Sequence, residues 1–183
     1  FAVSHRNHAS ISGIPSIIPG FAGHHFMEEV EMLSRVWDNP KRPLVVLLGG
    51  EKLETKLALV GKFLEKGGVV LVGGTLMNTI LVARGISVGK SAVDEKFIAN
   101  PDQFILNHSN LILPYDAVVA KTFRSKPRIA RVGNISHDER VFDIGPQSIH
   151  QFNNIIMNAK TVVWNGPLGQ AEFKKFAGGT IAI

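Results

Sequence analysis

Cysteine is absent from the 183 residues, which excludes disulfides and thiolate metal sites. A reducing compartment is therefore the simplest expectation, and a cytoplasmic location fits it. The sequence also lacks an apolar run near the roughly 18 residues that a spanning helix needs. We therefore expect no membrane partner.

Aromatic residues are scarce, at 8%, and the basic residues are scattered rather than gathered in one stripe. The stacking surface of a single-strand nucleic-acid binder is thus poorly represented. The net charge of +5 still favours anionic partners, such as nucleotides or phosphorylated metabolites. A basic nucleic-acid binder stays an alternative that rests on charge alone, and our expectation is no nucleic-acid partner.

Two patterns that would indicate other chemistry are incomplete. Val88 to Ser91 ends like a P-loop, but that fingerprint needs a glycine five residues before Gly89, where Arg84 stands. The histidines near the start of the sequence have no carboxylate at a helical ligand spacing. We therefore predict neither a P-loop nor a metal site.

The pattern of strand, glycines and helix occurs twice. Lys41 to Gly50 is an apolar run that ends in two glycines, and apolar residues at helical spacing follow it. Val69 to Val72 leads into Gly73 and Gly74, and Leu76 to Arg84 is again helical in pattern. Each run is typical of a strand buried on both faces.

Two further short runs have the same character, and a helix is predicted between them. The strands are Ala117 to Ala120 and Thr161 to Trp164, and the helix is Gln147 to Asn158. Alternating buried strands and helices predict an α/β fold, a parallel sheet with helices on both faces in a Rossmann-like three-layer arrangement. Ligands of such folds bind beyond the carboxyl ends of the strands, where the glycines fall. A separate amphipathic helix is predicted at Gly23 to Trp37.

The strongest local feature runs from Gly49 to Lys56. Glycines let backbone amides approach a phosphate, the following helix aims its positive end there, and Lys52 and Lys56 share a helical face. This indicates a polyphosphate site. An equally open reading is that the glycines only turn a strand into a helix and the lysines are solvated.

Two other glycine clusters are weaker signals. Gly73 and Gly74 would let a flat ring lie against backbone, and Asn165 to Gly169 has the composition of a turn. Glu172 could accept hydrogen bonds from ribose hydroxyls or be an ordinary surface acid.

Six segments, in order, resemble those of phosphoglycerate kinase over nearly the whole chain. They are His5 to Ser10; Asn39 to Pro43 with Leu48 to Lys56; Gly85 to Ser91; Leu113 to Asp116; Asp143 to Pro146; and Val162 to Gly169. The resemblance implies phosphoryl transfer between 1,3-bisphosphoglycerate and ADP, which gives 3-phosphoglycerate and ATP in glycolysis. It also implies Mg-ADP or Mg-ATP as substrate and a monomer.

The resemblance assigns roles to residues on the phosphate side. Arg6 would bind the phosphoglycerate. Lys52 would lie beside the transferring phosphoryl group as the catalytic residue, and Gly50 and Lys56 would hold the nucleotide phosphates.

It also assigns roles around the nucleoside. Gly73 and Gly74 would line the adenine slot, and Asn165 and Pro167 the opposite wall. Glu172 would contact the ribose.

The same resemblance predicts a division of the chain and a fragment of a longer kinase. Residues 1–21 would be a remnant of the N-terminal substrate domain, 22–40 the interdomain helix, and 41–183 the nucleotide-binding domain, truncated at its C-terminal end. The magnesium ligand would lie outside this fragment, and the fragment alone is expected to be inactive.

Two departures from the family pattern support an alternative. Glu51 stands where a small residue is usual, and Thr75 replaces a third glycine. The alternative is a non-catalytic nucleotide-binding module with a degenerate cleft.

Overall fold

The computed structural model describes residues 4–50 and 53–183, apart from the side chain at position 54. The chain divides into two compact units, Phe1–Lys41 and Arg42–Ile183. None of the helices in the described part combines the length and apolar character that a membrane crossing requires.

The first unit is built around one amphipathic helix, α1, His24–Asp38. A π-helical turn, Ala9–Gly13, and a 3-10 turn, Ile14–Ser16, precede it. Helix α1 follows Gly23, whose backbone is extended, and ends where the Asn39 N–H bonds to the Arg35 carbonyl at 3.0 Å. Pro40, which follows, has no N–H with which to continue the helix. The predicted helix differs from α1 by one residue at each end.

The second unit contains a parallel sheet, as predicted; it has four strands, one of which, Leu111–Ile112, was not predicted. In chain order its strands are β1, Leu44–Leu48; β2, Val69–Val72; β3, Leu111–Ile112; and β7, Thr161–Asn165. Their spatial order is β3-β2-β1-β7, and every neighbouring pair is parallel. All five residues of β1 are buried, which explains why this strand is a continuous apolar run.

In the part of the chain that the structure describes, seven α-helices accompany the strands. Those of the second unit are α2, Leu53–Glu65; α3, Gly74–Ala83; α4, Glu95–Ala99; α5, Gln103–Asn107; α6, Pro146–Met157; and α7, Gly178–Ile181. A 3-10 turn, Lys174–Phe176, precedes α7. This parallel sheet with its helices has the three-layer α/β fold that the sequence predicts.

A second, antiparallel sheet was not predicted. Its strands are β4, Asp116–Ala120; β5, Arg128–Arg131; and β6, Arg140–Ile144, in the order β5-β4-β6. The run Ala117 to Ala120 therefore forms a strand, as expected, but it pairs antiparallel with both neighbours and lies outside the parallel sheet. A short apolar run indicates burial and does not reveal the direction of its partners.

A buried polar pair joins β4 to the start of α6. Asp116, 3% exposed, accepts hydrogen bonds at its carboxylate from the Ser148 N–H at 2.8 Å and the Gln147 N–H at 3.2 Å. The Ser148 hydroxyl donates to the same carboxylate at 2.7 Å and accepts from the Asp116 N–H at 3.0 Å. Because Gly145 at the N-cap offers no side chain, Asp116 satisfies the free amides of α6 from a neighbouring strand.

Candidate functional site

Strand register brings three glycine-containing loops to one edge of the parallel sheet. Leu48, the last residue of β1, pairs with Val72 on one side and with Asn165 on the other. The loops after these three strands therefore begin level with one another. They contain Gly49 and Gly50, Gly73 and Gly74, and Gly166.

Backbone packs directly on backbone where these loops meet. A Cβ on Gly49 would lie 1.9 Å from the Pro167 carbonyl oxygen, and one on Gly73 would lie 2.8 Å from the Leu168 carbonyl oxygen. The Gly74 N–H donates to that same Leu168 oxygen at 2.9 Å. The glycines are thus required by close approach, and the loops form one rigid floor.

The ammonium of Lys56 lies above this floor. Lys56 is in the first turns of α2, and its Nζ donates a hydrogen bond to the Gly49 carbonyl oxygen. Positions for a Cβ on Gly50 and on Gly166 are 2.8 and 2.9 Å from Nζ, and both glycines have positive φ, +85° and +83°. A cation held beside partly buried glycine backbone near a helix N-terminus attracts phosphate.

An open cleft of about 820 Å³ extends from this cation across the second unit. Its lining includes six of the residues that the sequence assigned to the nucleotide: Gly50, Lys56, Gly74, Asn165, Pro167 and Glu172. Gly73 is buried directly behind Gly74, where it packs against Leu168.

Besides Gly73, the described site residue that does not line the cleft is Arg6. Arg6 is exposed and belongs to the first unit. Lys52, like the neighbouring Glu51, lies outside the described residues, so its catalytic role stays a prediction.

One end of the cleft is formed by α3 and the segment around residue 91. Thr75, Asn78, Ser91 and Ala92 line it. The Asn78 side-chain N–H donates to the Ala92 carbonyl at 3.3 Å, and the Ser91 hydroxyl accepts from the Val141 N–H at 2.8 Å. These bonds tie α3, the 88–92 segment and β6 into one wall.

Asp143 on β6 is a buried carboxyl in the cleft lining. Burial raises its pKa to about 6, although hydrogen bonds from the Gly179 and Ile144 N–H groups act in the opposite direction. Those bonds measure 2.7 Å to Oδ2 and 2.9 Å to Oδ1. Both oxygens are therefore already engaged by backbone donors.

Aromatic rings form a further part of the wall. Phe123 lies 4.8 Å from both Phe142 and Phe173 between ring centroids, and Phe142 stacks on Phe176 at 4.4 Å with an interplanar angle of 16°. Phe123 and Phe142 also line the cleft. The cleft thus has groups suited to phosphate around Lys56 and a flat apolar surface at Phe123 and Phe142.

Comparison with known proteins identifies the family of the chain. The family model described as Phosphoglycerate kinase matches residues 1–183. The chain belongs to the phosphoglycerate kinase family. It is 39% identical to the phosphoglycerate kinase of Bartonella quintana (strain Toulouse), over 100% of this chain and 48% of that protein. It is 40% identical to that of Latilactobacillus sakei subsp. sakei (strain 23K), over 100% of this chain and 47% of that protein.

Solved phosphoglycerate kinase structures have the same fold. The structure from Pyrococcus horikoshii OT3 matches with a TM-score of 0.83 at 26% identity, over 99% of this chain and 48% of that one. The structure from Coxiella burnetii matches with a TM-score of 0.81 at 36% identity, over 88% of this chain and 43% of that one. The chain spans about half the length of the curated phosphoglycerate kinases it matches.

The described residues do not form a magnesium site of their own. Within positions 4–50 and 53–183, no group of three or more histidine, aspartate or glutamate side chains could hold a metal ion. Asp143, the buried carboxyl of the cleft, has both oxygens occupied by backbone N–H groups.

Several cleft residues were not assigned a role from the sequence, among them Asn78, Phe123, Arg140 and Asp143. Phe123, Arg140 and Asp143 are on or beside the antiparallel sheet, which the strand pattern did not predict. The motif Asp143 to Pro146 was noted as a resemblance, and an acid directly before a Gly-Pro turn was the available signal. Nothing local in the sequence marks Phe123 or Arg140 as cleft residues.

Proposed function

We propose that this protein is a glycolytic phosphoglycerate kinase in which the chain supplies the nucleotide side of the active site. The reaction transfers a phosphoryl group from 1,3-bisphosphoglycerate to ADP and gives 3-phosphoglycerate and ATP. The observation that carries the proposal is the single cleft lined by Gly50, Lys56, Gly74, Asn165 and Glu172. Family membership supports the same reaction.

The chemistry needs little beyond positioning and positive charge. An oxygen of the ADP β-phosphate attacks the acyl phosphorus, and the bond from phosphorus to the carboxyl oxygen breaks. The leaving group is a carboxylate, which departs without taking up a proton, and the attacking oxygen is already ionised. Cations that neutralise the transferring group therefore provide most of the catalysis.

Different residues of the chain would bind the nucleotide phosphates, the transferring phosphoryl group and the phosphoglycerate. Lys56 and the Gly50 backbone would hold the nucleotide phosphates, and Lys52 would neutralise the transferring phosphoryl group. Arg6 would bind the phosphoglycerate. Magnesium would arrive with the nucleotide and neutralise part of the phosphate charge.

The nucleoside would occupy the rest of the cleft. Gly73 and Gly74 have no side chains and would admit the flat base, with Asn165 and Pro167 on the other wall. The Glu172 carboxylate would accept hydrogen bonds from the ribose hydroxyls.

The test is calorimetric titration of Mg-ADP into the 183-residue chain and two lysine variants. We expect micromolar-range binding that K56M weakens about tenfold or more, since a charged hydrogen bond to phosphate is lost. K62M is the matched control, because Lys62 is on the same helix and does not line the cleft. Equal effects of both variants would contradict the role of Lys56.

Absence of any Mg-ADP binding would favour the alternative, a non-catalytic module that keeps the sheet of a nucleotide-binding domain but has a degenerate cleft. Thr75, which lines the cleft, is the described substitution that motivates this alternative. Such a result would also reject the kinase proposal.

We expect the isolated chain to bind nucleotide without catalysing transfer, because it spans about half the length of its curated relatives. Adding 1,3-bisphosphoglycerate to the ADP-bound chain and assaying ATP tests the expected lack of catalysis. ATP formation at an enzyme-like rate would contradict the expectation that the isolated chain does not catalyse transfer. The glycolytic role further suggests a cytoplasmic monomer with no nucleic-acid or membrane partner, a separate expectation that this assay does not address.

A further inference from the structure

The cleft contains a second cation, Arg140, which lies apart from Lys56. Arg140 is the first residue of β6, and its exposed side chain lines the cleft. Nearby arginines have partners: Arg128 bonds to Glu139 at 2.7 Å, and Arg131 lies 4.7 Å from the centre of the Tyr115 ring. Within the described part of the chain, the Arg140 guanidinium has no ion pair, hydrogen bond or ring contact. Its donors are available to a ligand.

The strand geometry separates Arg140 from the phosphate-binding loops. Asp143, three residues further along β6, packs against Gly169 and bonds to the Gly179 N–H. Arg140 is about 10 Å from that point, at the ordinary rise of a strand. The next residue, Val141, bonds to Ser91 at the Asn78 end of the cleft. Asn78 is one turn after Gly74 on α3, so a base that lies against Gly74 would also be at the end of the cleft that Arg140 lines.

The donors of a guanidinium distinguish between purines. It carries N–H donors only, in a planar fork that matches two neighbouring acceptors. A 6-oxopurine presents such a pair at N7 and O6, whereas adenine presents an amino group at the same position, which opposes a donor. Asn78 Oδ1, a buried acceptor with no partner among the described residues, is at the same end. The N1–H of a 6-oxopurine is a donor of the kind that this oxygen lacks.

We propose that Arg140 reads the six-position of the purine, so that the cleft binds guanosine and inosine diphosphates at least as tightly as ADP. The inference rests on the proposed nucleotide site and extends it to base selectivity. It makes Arg140 a specificity-determining residue.

The experiment is calorimetric titration of the magnesium complexes of ADP, GDP and IDP into the 183-residue chain, R140M and R140K. We expect GDP and IDP to lose about tenfold in affinity in both variants, while ADP changes by less than about twofold. R140K tests the fork, because it keeps the charge and loses the paired donors. R124M is the matched control, an exposed arginine outside the cleft lining, and should leave all three affinities unchanged.

The outcomes separate this inference from the function on which it rests. Micromolar ADP binding with much weaker GDP binding, or GDP affinity unaffected in R140M, would overturn the role of Arg140 and leave the nucleotide site standing. GDP affinity preserved in R140K would show that charge alone acts, which also overturns base reading. Failure of all three nucleotides to bind would reject both proposals.

Discussion

Asp143 shows how a single buried residue couples the cleft to pH. Its two oxygens accept backbone N–H groups from β6 and from α7, so it fixes the position of α7 against the antiparallel sheet. Desolvation still outweighs these bonds, and the pKa rises from 3.8 to about 6. The ionised form is therefore less favourable in the folded protein than in the unfolded chain.

The pKa of Asp143 predicts a loss of stability as the pH rises. Below pH 3.8 the carboxyl is protonated in both states and adds no pH dependence. Between 3.8 and about 6 the unfolded chain ionises first, so the free energy of unfolding falls. The loss is complete above that range and is on the order of 3 kcal/mol.

Urea denaturation of the wild type and D143N, from pH 4 to 7.5, measures this contribution. Asparagine does not ionise, so the stability of the wild type relative to D143N should fall across the interval. Asparagine also loses one acceptor, which adds an offset that does not vary with pH. Parallel curves for the two proteins would contradict the assigned pKa shift.

Single residues were predictable where a motif fixes them. Gly50, Lys56 and Asn165 follow strands whose ends are visible in the sequence, and a strand end has a known place in a parallel sheet. Arg140 and Phe123 were missed because they reach the cleft from a different sheet. Their positions depend on tertiary packing, which the spacing of residues along the sequence does not predict.

At the scale of elements, the floor of the cleft depends on contact between loop backbones. The loop after β1 meets the loop after β7 so closely that Gly49 and Pro167 leave no space for a methyl group. This contact sets the distance between α2, which carries Lys56, and the turn that carries Asn165. The glycines are therefore structural as well as part of the proposed phosphate site.

Substitutions at Gly49 and Gly61 distinguish a glycine that close backbone packing requires from one that it does not. G49A should destabilise the protein by about 3 kcal/mol or more, since backbone must move or a severe clash must persist. In G61A, in the interior of α2, the added methyl group would meet only Ile105 Cδ1 at 3.7 Å and Cγ1 at 3.9 Å, so this variant should be stabilised by about 0.5–1 kcal/mol.

Thermal and urea unfolding of the two variants provides the measurement. G61A serves as the control for the loss of a glycine in itself. Destabilisation of both to the same degree would show that close backbone packing is not the cause.

Element type was predictable more reliably than element partners. β1, β2 and β7 were recognised because continuous apolar runs ending in glycine or Asn-Gly are typical of buried parallel strands. β4 was recognised as a strand and assigned to the wrong sheet. β5 and β6 were missed, since Arg128 to Arg131 is largely exposed and Arg140 to Ile144 mixes charged with apolar residues.

At the scale of the whole molecule, the chain divides into two compact units, and the proposed nucleotide cleft lies in the second. The lining of that cleft belongs entirely to Arg42–Ile183. The boundary between the units falls after Lys41, whereas the sequence placed the nucleotide domain at 41–183; the domain roles themselves stay a prediction. Family membership and fold were predictable from the sequence, because the six segments keep their order over the chain.

The central claim is that glycine backbone and Lys56 hold the phosphates of a nucleotide in this cleft. Nuclear magnetic resonance titration of the ¹⁵N-labelled chain with Mg-ADP tests it most directly. We expect saturable chemical-shift changes that are largest at the amides of Gly50, Gly74 and Asn165, with little change in α5. Shifts centred on another surface, or none at millimolar nucleotide, would contradict it.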